Sequence, residues 1–158
     1  MKKLLLLVLV SLLVIFSCYA EEYKFLGIPF DSSMQEVRST MESKGWTYSK
    51  KQSKDSKLFF SGKTYAGKDV RNVTMSFKDN ELKGITIGFK DRFDAQEVFK
   101  AMVDKYGLIE LESRDILYKS SDDKNLFSLY INGSFIYIII TGGETKSSSE
   151  NSLDESEI

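Results

Sequence analysis

Histidine is absent from this chain, and cysteine (Cys18), proline (Pro29) and tryptophan (Trp46) occur once each. The first two scarcities exclude whole classes of chemistry. Without histidine and with a single thiol there is no His- or Cys-based nucleophilic dyad, no Cys/His zinc site and no histidine-ligated haem. An intramolecular disulfide is impossible. Excess charge of one sign is missing too: Lys+Arg 22 against Asp+Glu 23 gives a formal net charge of −1. A balance that close supplies no electrostatic case for binding nucleic acid. Aromatic residues are plentiful, with Phe 11 and Tyr 8. One hydrophobic core therefore has to hold the fold without covalent help.

Lys2 and Lys3 precede the apolar run Leu4–Phe16, and Ser17-Cys18-Tyr19-Ala20 leads into Glu21-Glu22. A basic start, a short apolar middle and a small residue before charge describe a secretory signal peptide over 1–20, cut after Ala20. The alternative is lipidation: Ile15-Phe16-Ser17-Cys18 resembles a bacterial lipobox, which would make Cys18 the acylated first residue and tether the protein to a membrane. The run is short for an uncleaved membrane span.

The most informative stretch is Leu26–Trp46. Ser33 and Glu36 have capping-box spacing. Met34, Val37 and Met41 form one apolar stripe, and Gly45 ends the helix. Phe93–Leu108 echoes it: Gln96-Glu97-Val98 aligns on Gln35-Glu36-Val37, and the same alignment places Met102 on Met41. In this second helix Asp94 and Glu97 are expected to cap, Val98, Phe99, Met102 and Tyr106 to form the stripe, and Gly107 to stop it.

Each helix precedes a series of strands. In the first series Val73, Met75 and Phe77, then Ile85, Ile87 and Phe89, alternate with small or polar residues, the mark of strands with one buried face. Asp79-Asn80 is the turn between them. In the second series the strands are expected at Ile109–Leu111, Ile116–Tyr118, Leu126–Ile131 and Phe135–Thr141. Asn132-Gly133 is a tight-hairpin signal. The expected architecture is α+β: two helix-plus-β-meander units, about 24–91 and 92–142, forming one antiparallel sheet with the helices packed on one face. They make up a single domain over 21–142, followed by a disordered acidic tail over 143–158.

Most local motifs reduce to structure. Ser61-Gly62-Lys63-Thr64 resembles the end of a phosphate-binding loop, but Lys57 stands where that pattern needs glycine and Tyr65-Ala66-Gly67 turns where a helix should start. Asn72-Val73-Thr74 and Asn132-Gly133-Ser134 match a glycosylation sequon and lie on or between strands. Asp122-Asp123 and the scattered glutamates are not spaced to face one another across a cleft. Lysines 50, 51, 54, 57, 63 and 68 read as solubilising charge, or as a basic rim for an acidic partner.

One pattern does point to function. If Ile136, Ile138 and Ile140 face the helices, Phe135, Tyr137 and Ile139 face the other way, and Tyr118 and Tyr130 are expected to join them. Rows of aromatic and branched side chains on the solvent face of a sheet mark a protein-binding surface. The alternative is that the lead-in segment Tyr23–Phe30 or a second subunit covers them.

A helix and an antiparallel meander given twice resembles the β-lactamase inhibitor protein fold and the related small outer-membrane assembly lipoproteins. Phe25-Leu26-Gly27-Ile28-Pro29-Phe30-Asp31, Lys44-Gly45-Trp46 and Phe60–Gly67 look like pieces of an uncharacterised group of small exported bacterial proteins. The resemblance spans about residues 24–142 and carries no catalytic signature. The inhibitor family implies binding of another protein on the sheet face, and this chain lacks that family's disulfides.

The expectation is an exported protein, periplasmic or secreted, that is not an enzyme and uses no metal or cofactor. It binds a protein partner through Tyr118, Tyr130, Phe135, Tyr137 and Ile139, and meets membrane only if Cys18 is lipidated. The alternatives are a lipid-anchored envelope-assembly lipoprotein and a small-ligand carrier.

Overall fold

Ser33 begins the regular structure of the computed structural model, which describes residues 23–111, 117–120, 124–132 and 135–142, with the side chains of Asn132 and Phe135 left out. The signal-peptide and tail expectations, Cys18 included, lie outside these residues. The Ser33 hydroxyl accepts from the Glu36 N–H, and the Glu36 carboxylate accepts from the Ser33 N–H at 2.8 Å. Helix α1 (Met34–Ser43) thus starts with both halves of a capping box. It buries Val37 and Met41 and ends where Gly45 takes a φ of 80°.

Helix α2 (Arg92–Tyr106) starts one turn earlier than the sequence suggested. Its cap is Asp91, whose Oδ1 accepts from the N–H groups of Phe93 (2.7 Å) and Asp94 (3.2 Å). Asp94 and Glu97 instead hold Lys68, at 3.3 and 2.8 Å. Asp94, in the first turn, suits the helix's positive end, and together with Glu97 one turn on it draws the lysine across from the sheet. Gly107, at φ 57°, ends this helix.

The strands are β1 (Thr47–Tyr48), β2 (Lys57–Ser61), β3 (Thr64–Tyr65), β4 (Lys68–Lys78), β5 (Glu81–Phe89), β6 (Ile109–Glu110), β7 (Leu117–Lys119), β8 (Asn125–Asn132) and β9 (Phe135–Gly142). They form one nine-stranded antiparallel sheet in the order β1-β2-β4-β5-β9-β8-β7-β6, with β3 paired to β4. The chain is α+β. The stretch Gly62–Gly67 holds β3, and Ala66-Gly67 is the turn of its hairpin with β4. Asp79 and Asn80 both adopt positive φ, the type I′ geometry that matches strand twist. Asn80 also accepts from the Met34 N–H, tying this hairpin to the start of α1.

Register explains the burial. Phe127, Ile140, Ile85, Met75 and Leu58 lie side by side across β8, β9, β5, β4 and β2. So do Leu129, Ile138, Ile87, Val73 and Phe60, and all ten are buried. The same core takes in the helix residues Val37, Met41, Ala95, Val98, Phe99 and Met102. At roughly 1.5–3 kcal/mol for each large apolar side chain removed from water, this layer dominates stability.

The lead-in segment belongs to this buried side. Phe25 and Ile28 exchange backbone hydrogen bonds around Leu26-Gly27. Phe25 stacks on Tyr65 at 5.0 Å, and Tyr23 meets Tyr106 and Phe127 edge-on at 5.2 and 5.3 Å. Phe30 lies over Gly142, where a β-carbon would come within 2.3 Å of its ring.

Candidate interaction surface on the open face of the sheet

The side chains that alternate with the buried rows face away from the helices. One outer row reads Leu117, Ser128, Ile139, Thr86, Thr74, Phe59 across the sheet. A second reads Tyr130, Tyr137, Gly88, Asn72. A third runs Lys119, Leu126, Thr141, Gly84, Ser76, Lys57. The β4–β5 part is small and polar, whereas β7, β8 and β9 supply leucine, isoleucine and tyrosine. A sheet with helices on one side leaves such a face to water.

Of the five residues expected here, Tyr130, Tyr137 and Ile139 share the open face. Tyr130 is 47 % exposed and stands directly opposite Tyr137. Phe135 opens β9 opposite Asn132, and its side chain falls outside the described residues, as does the Gly133-Ser134 connection. Tyr118 is a correction. Its register partner is the buried Phe127, and its ring meets Phe99 of α2 edge-on at 5.4 Å, so it packs with the core side. Leu117 takes the outward position instead. Phe59, half-buried between Leu58 and Phe60, is a member of the face that sequence reasoning passed over. Period two from its buried neighbours was the available signal.

The lead-in segment does not cover this face, because Tyr23 and Phe25 pack against Phe127 and Tyr65 on the helix side. That removes one of the coverings the sequence left open.

Tyr137 lies close over Gly88: a β-carbon built there would sit 3.0 Å from the tyrosine Cε1 and 2.6 Å from the Asn72 Oδ1. A glycine roofed by an aromatic ring from the next strand regains burial that it cannot supply itself.

On the helix side, a cavity of about 250 Å³ is lined by Leu26, Tyr65, Ala66, Val98, Met102, Tyr106 and the charged Lys105, among others. Leu26 and Ala66 both hold left-handed backbone, φ 53° and 51°, which non-glycine residues seldom adopt. Tyr65, which lines the cavity, brings its hydroxyl to 3.4 Å from that of Tyr23. Burial pushes both phenols up, Tyr23 well above the ordinary range.

Of the lysines in the basic rim, Lys68 is held by Glu97 and Asp94, which raise its pKa. Among the described residues Lys50, Lys51, Lys54 and Lys57 form no ion pair. Among the described residues no three acids gather into a cation site, and no helix is long and apolar enough to cross a membrane.

No family model, curated protein or solved structure matches this chain.

Proposed function

We propose that this is an exported cell-envelope protein that binds another protein non-covalently through the open face of its sheet, as an inhibitor-like or adaptor module. The observation that carries the reading is the Tyr130–Tyr137 pair beside Ile139 on the face turned away from the buried rows, with Tyr130 47 % exposed. Tyrosine is well suited to such a surface, since it buries a large ring with little rotamer entropy lost and keeps a polar tip for hydrogen bonding. Binding by this face needs no histidine, thiol or metal.

The reading includes a duplicated unit. Strand order supports it: outward from the central β5–β9 pair, β4, β2 and β1 on one side answer β8, β7 and β6 on the other. Each series follows its own helix. The resemblance to β-lactamase inhibitor protein-like chains belongs to the same proposal. The leader over 1–20 supports export. Lipid anchoring through Cys18 is the variant in which the same face works at a membrane. A small-ligand carrier is the second reading, and the largely apolar cavity lined by Leu26, Ala66, Val98 and Met102 favours it.

The test is a photo-reactive phenylalanine analogue at Tyr130 in the producing cell, with Lys100 on α2 as control. The expected result is one discrete adduct from position 130, absent from position 100 and abolished by Ile139→Glu with the thermal transition kept. Equal labelling from both positions would overturn the proposal.

A further inference from the structure

Val98, Ala101, Met102 and Lys105 recur on α2 at the three- and four-residue spacing that places side chains on one stripe. All four line the cavity of about 250 Å³ on the helix side. Two turns of one design contribute to its other walls. In Leu26-Gly27 and Ala66-Gly67 a left-handed non-glycine residue precedes a left-handed glycine, and Leu26 and Ala66 are the members that reach the cavity. Backbone strain of that kind collects at ligand clamps, where the surroundings hold it in place. Val98 and Met102 are buried while Ala66, Ala101 and Lys105 are exposed, so the cavity is reached from solvent.

Two polar groups set the chemistry. Among the described residues that line the cavity, Lys105 is the one with a charge, and its Nζ stands 4.9 Å from the centre of the Tyr106 ring, which lines it too. Its charge also reaches Tyr65, where it opposes the larger upward push of burial on the phenol. Tyr65 and Tyr23 meet hydroxyl to hydroxyl at 3.4 Å. Tyr23 is 2 % exposed, so its proton needs an acceptor, and the Tyr65 oxygen is the one in reach. That arrangement leaves the Tyr65 proton for an acceptor inside the cavity its side chain lines.

We infer that this cavity binds a small amphiphile with an apolar body and a carboxylate end, the size of a medium-chain fatty acid. Charge complementarity and volume set the occupant. The apolar body replaces water against Leu26, Val98 and Met102, and the carboxylate accepts from the Tyr65 hydroxyl beside the Lys105 ammonium. A cavity of about 150 Å³ takes benzene, so one of about 250 Å³ has room for a chain of about eight carbons and none for a two-chain lipid. The thioether of Met102 lets the wall adapt to the chain. Such binding rests on the carrier reading, gives it a ligand class and involves neither Tyr130 nor Tyr137.

Methionine-methyl NMR of the exported protein, titrated with sodium octanoate and with octanol at neutral pH, tests it. Met102 lines the cavity, whereas Met75 lies on β4 and Met34 on α1. The expected result is a saturable shift of the Met102 methyl by octanoate, with a Kd below about 1 mM, and octanol binding about fivefold weaker. Lys105→Met is expected to bring octanoate down to the level of octanol while leaving octanol unchanged. Ala101→Trp, at an exposed position, is expected to block both ligands, and an unchanged thermal transition certifies each fold. Equal affinity for octanoate and octanol, or an octanoate affinity untouched by Lys105→Met, would overturn the carboxylate assignment and keep the carrier reading. No response of Met102 to either ligand, or equal shifts at Met34 and Met75, would overturn both.

Discussion

Tyr137 of β9 roofs Gly88 of β5, leaving 3.0 Å between the tyrosine Cε1 and the place a β-carbon would occupy. The pair therefore limits both partners: alanine at 88 meets the ring, and loss of the ring bares a glycine in mid-strand. Gly88→Ala is expected to destabilise by about 1 kcal/mol, the strain of overfilling a packed site offset in part by the better strand propensity of alanine. In a Tyr137→Ala background the same change is expected to cost less, the remaining strain being that of moving the Asn72 Oδ1, which would lie 2.6 Å from the added carbon. A double-mutant cycle in urea reads the coupling directly. Additive effects would mean that the ring does not rest on Gly88.

Phe30 and Gly142 form the corresponding contact at the far end of β9, with tighter geometry. The ring's Cγ, Cδ1 and Cδ2 would all lie within 2.7 Å of a β-carbon, so no small rotation relieves the clash. Gly142→Ala is expected to lose about 1–3 kcal/mol and to release the lead-in segment from the core. Faster amide exchange at Phe25 and Ile28, which bond each other across the Leu26-Gly27 turn, is the local readout. Unchanged exchange there would separate Phe30 from the ordering of the segment.

Much of this layout was legible because it rests on short-range patterns. Val73, Met75 and Phe77 alternate without interruption, and the capping box at Ser33 is complete within four residues. What escaped depends on partners distant in sequence. Tyr118 sits in a three-residue strand, too short for its own alternation to set a phase, and pairing with Phe127 decides its side. Asp91 and Asp94 each satisfy the local rules for a cap, and Lys68, 26 residues upstream of Asp94, gives Asp94 another occupation. The lead-in segment carries no period that would reveal its aromatics as core, since Tyr23 and Phe25 find their places only against Tyr65, Tyr106 and Phe127.

Ala66 turns the β3–β4 hairpin with a φ of 51°, ahead of Gly67 at 76°. That left-handed backbone costs alanine about 1–2 kcal/mol, whereas asparagine tolerates it and Asn-Gly is the favoured pair for such a turn. Ala66→Asn is expected to raise the unfolding free energy by up to about 1 kcal/mol, measured by urea titration. Leu26, at φ 53°, is the contrasting case. Its side chain packs on the core, so Leu26→Asn trades strain for lost burial and is expected to destabilise. A stabilising Leu26→Asn would deny that Leu26's contacts outweigh its backbone strain.

Tyr23, 2 % exposed, and Tyr65 share a buried pair of hydroxyls 3.4 Å apart. Desolvation is the largest cause of the upward shift in both, and Tyr65 adds to it at Tyr23. In the unfolded chain a phenol ionises near pH 10, while these two keep their protons in the fold. Above that pH the unfolded state binds fewer protons than the native one, so stability falls as pH rises. The stabilisation is complete below about pH 10 and is lost progressively as pH climbs toward the raised folded values. Tyr23→Phe removes one of the two groups. Between pH 10 and 11 it should flatten the decline by up to about 1.4 kcal/mol per pH unit, with little change at neutral pH beyond the lost 3.4 Å contact. Urea unfolding of both proteins from pH 8 to 11 gives the two slopes. Parallel curves would show that Tyr23 ionises as readily in the fold as outside it, and the tight packing of its ring against Tyr106 and Phe127 would then need another explanation.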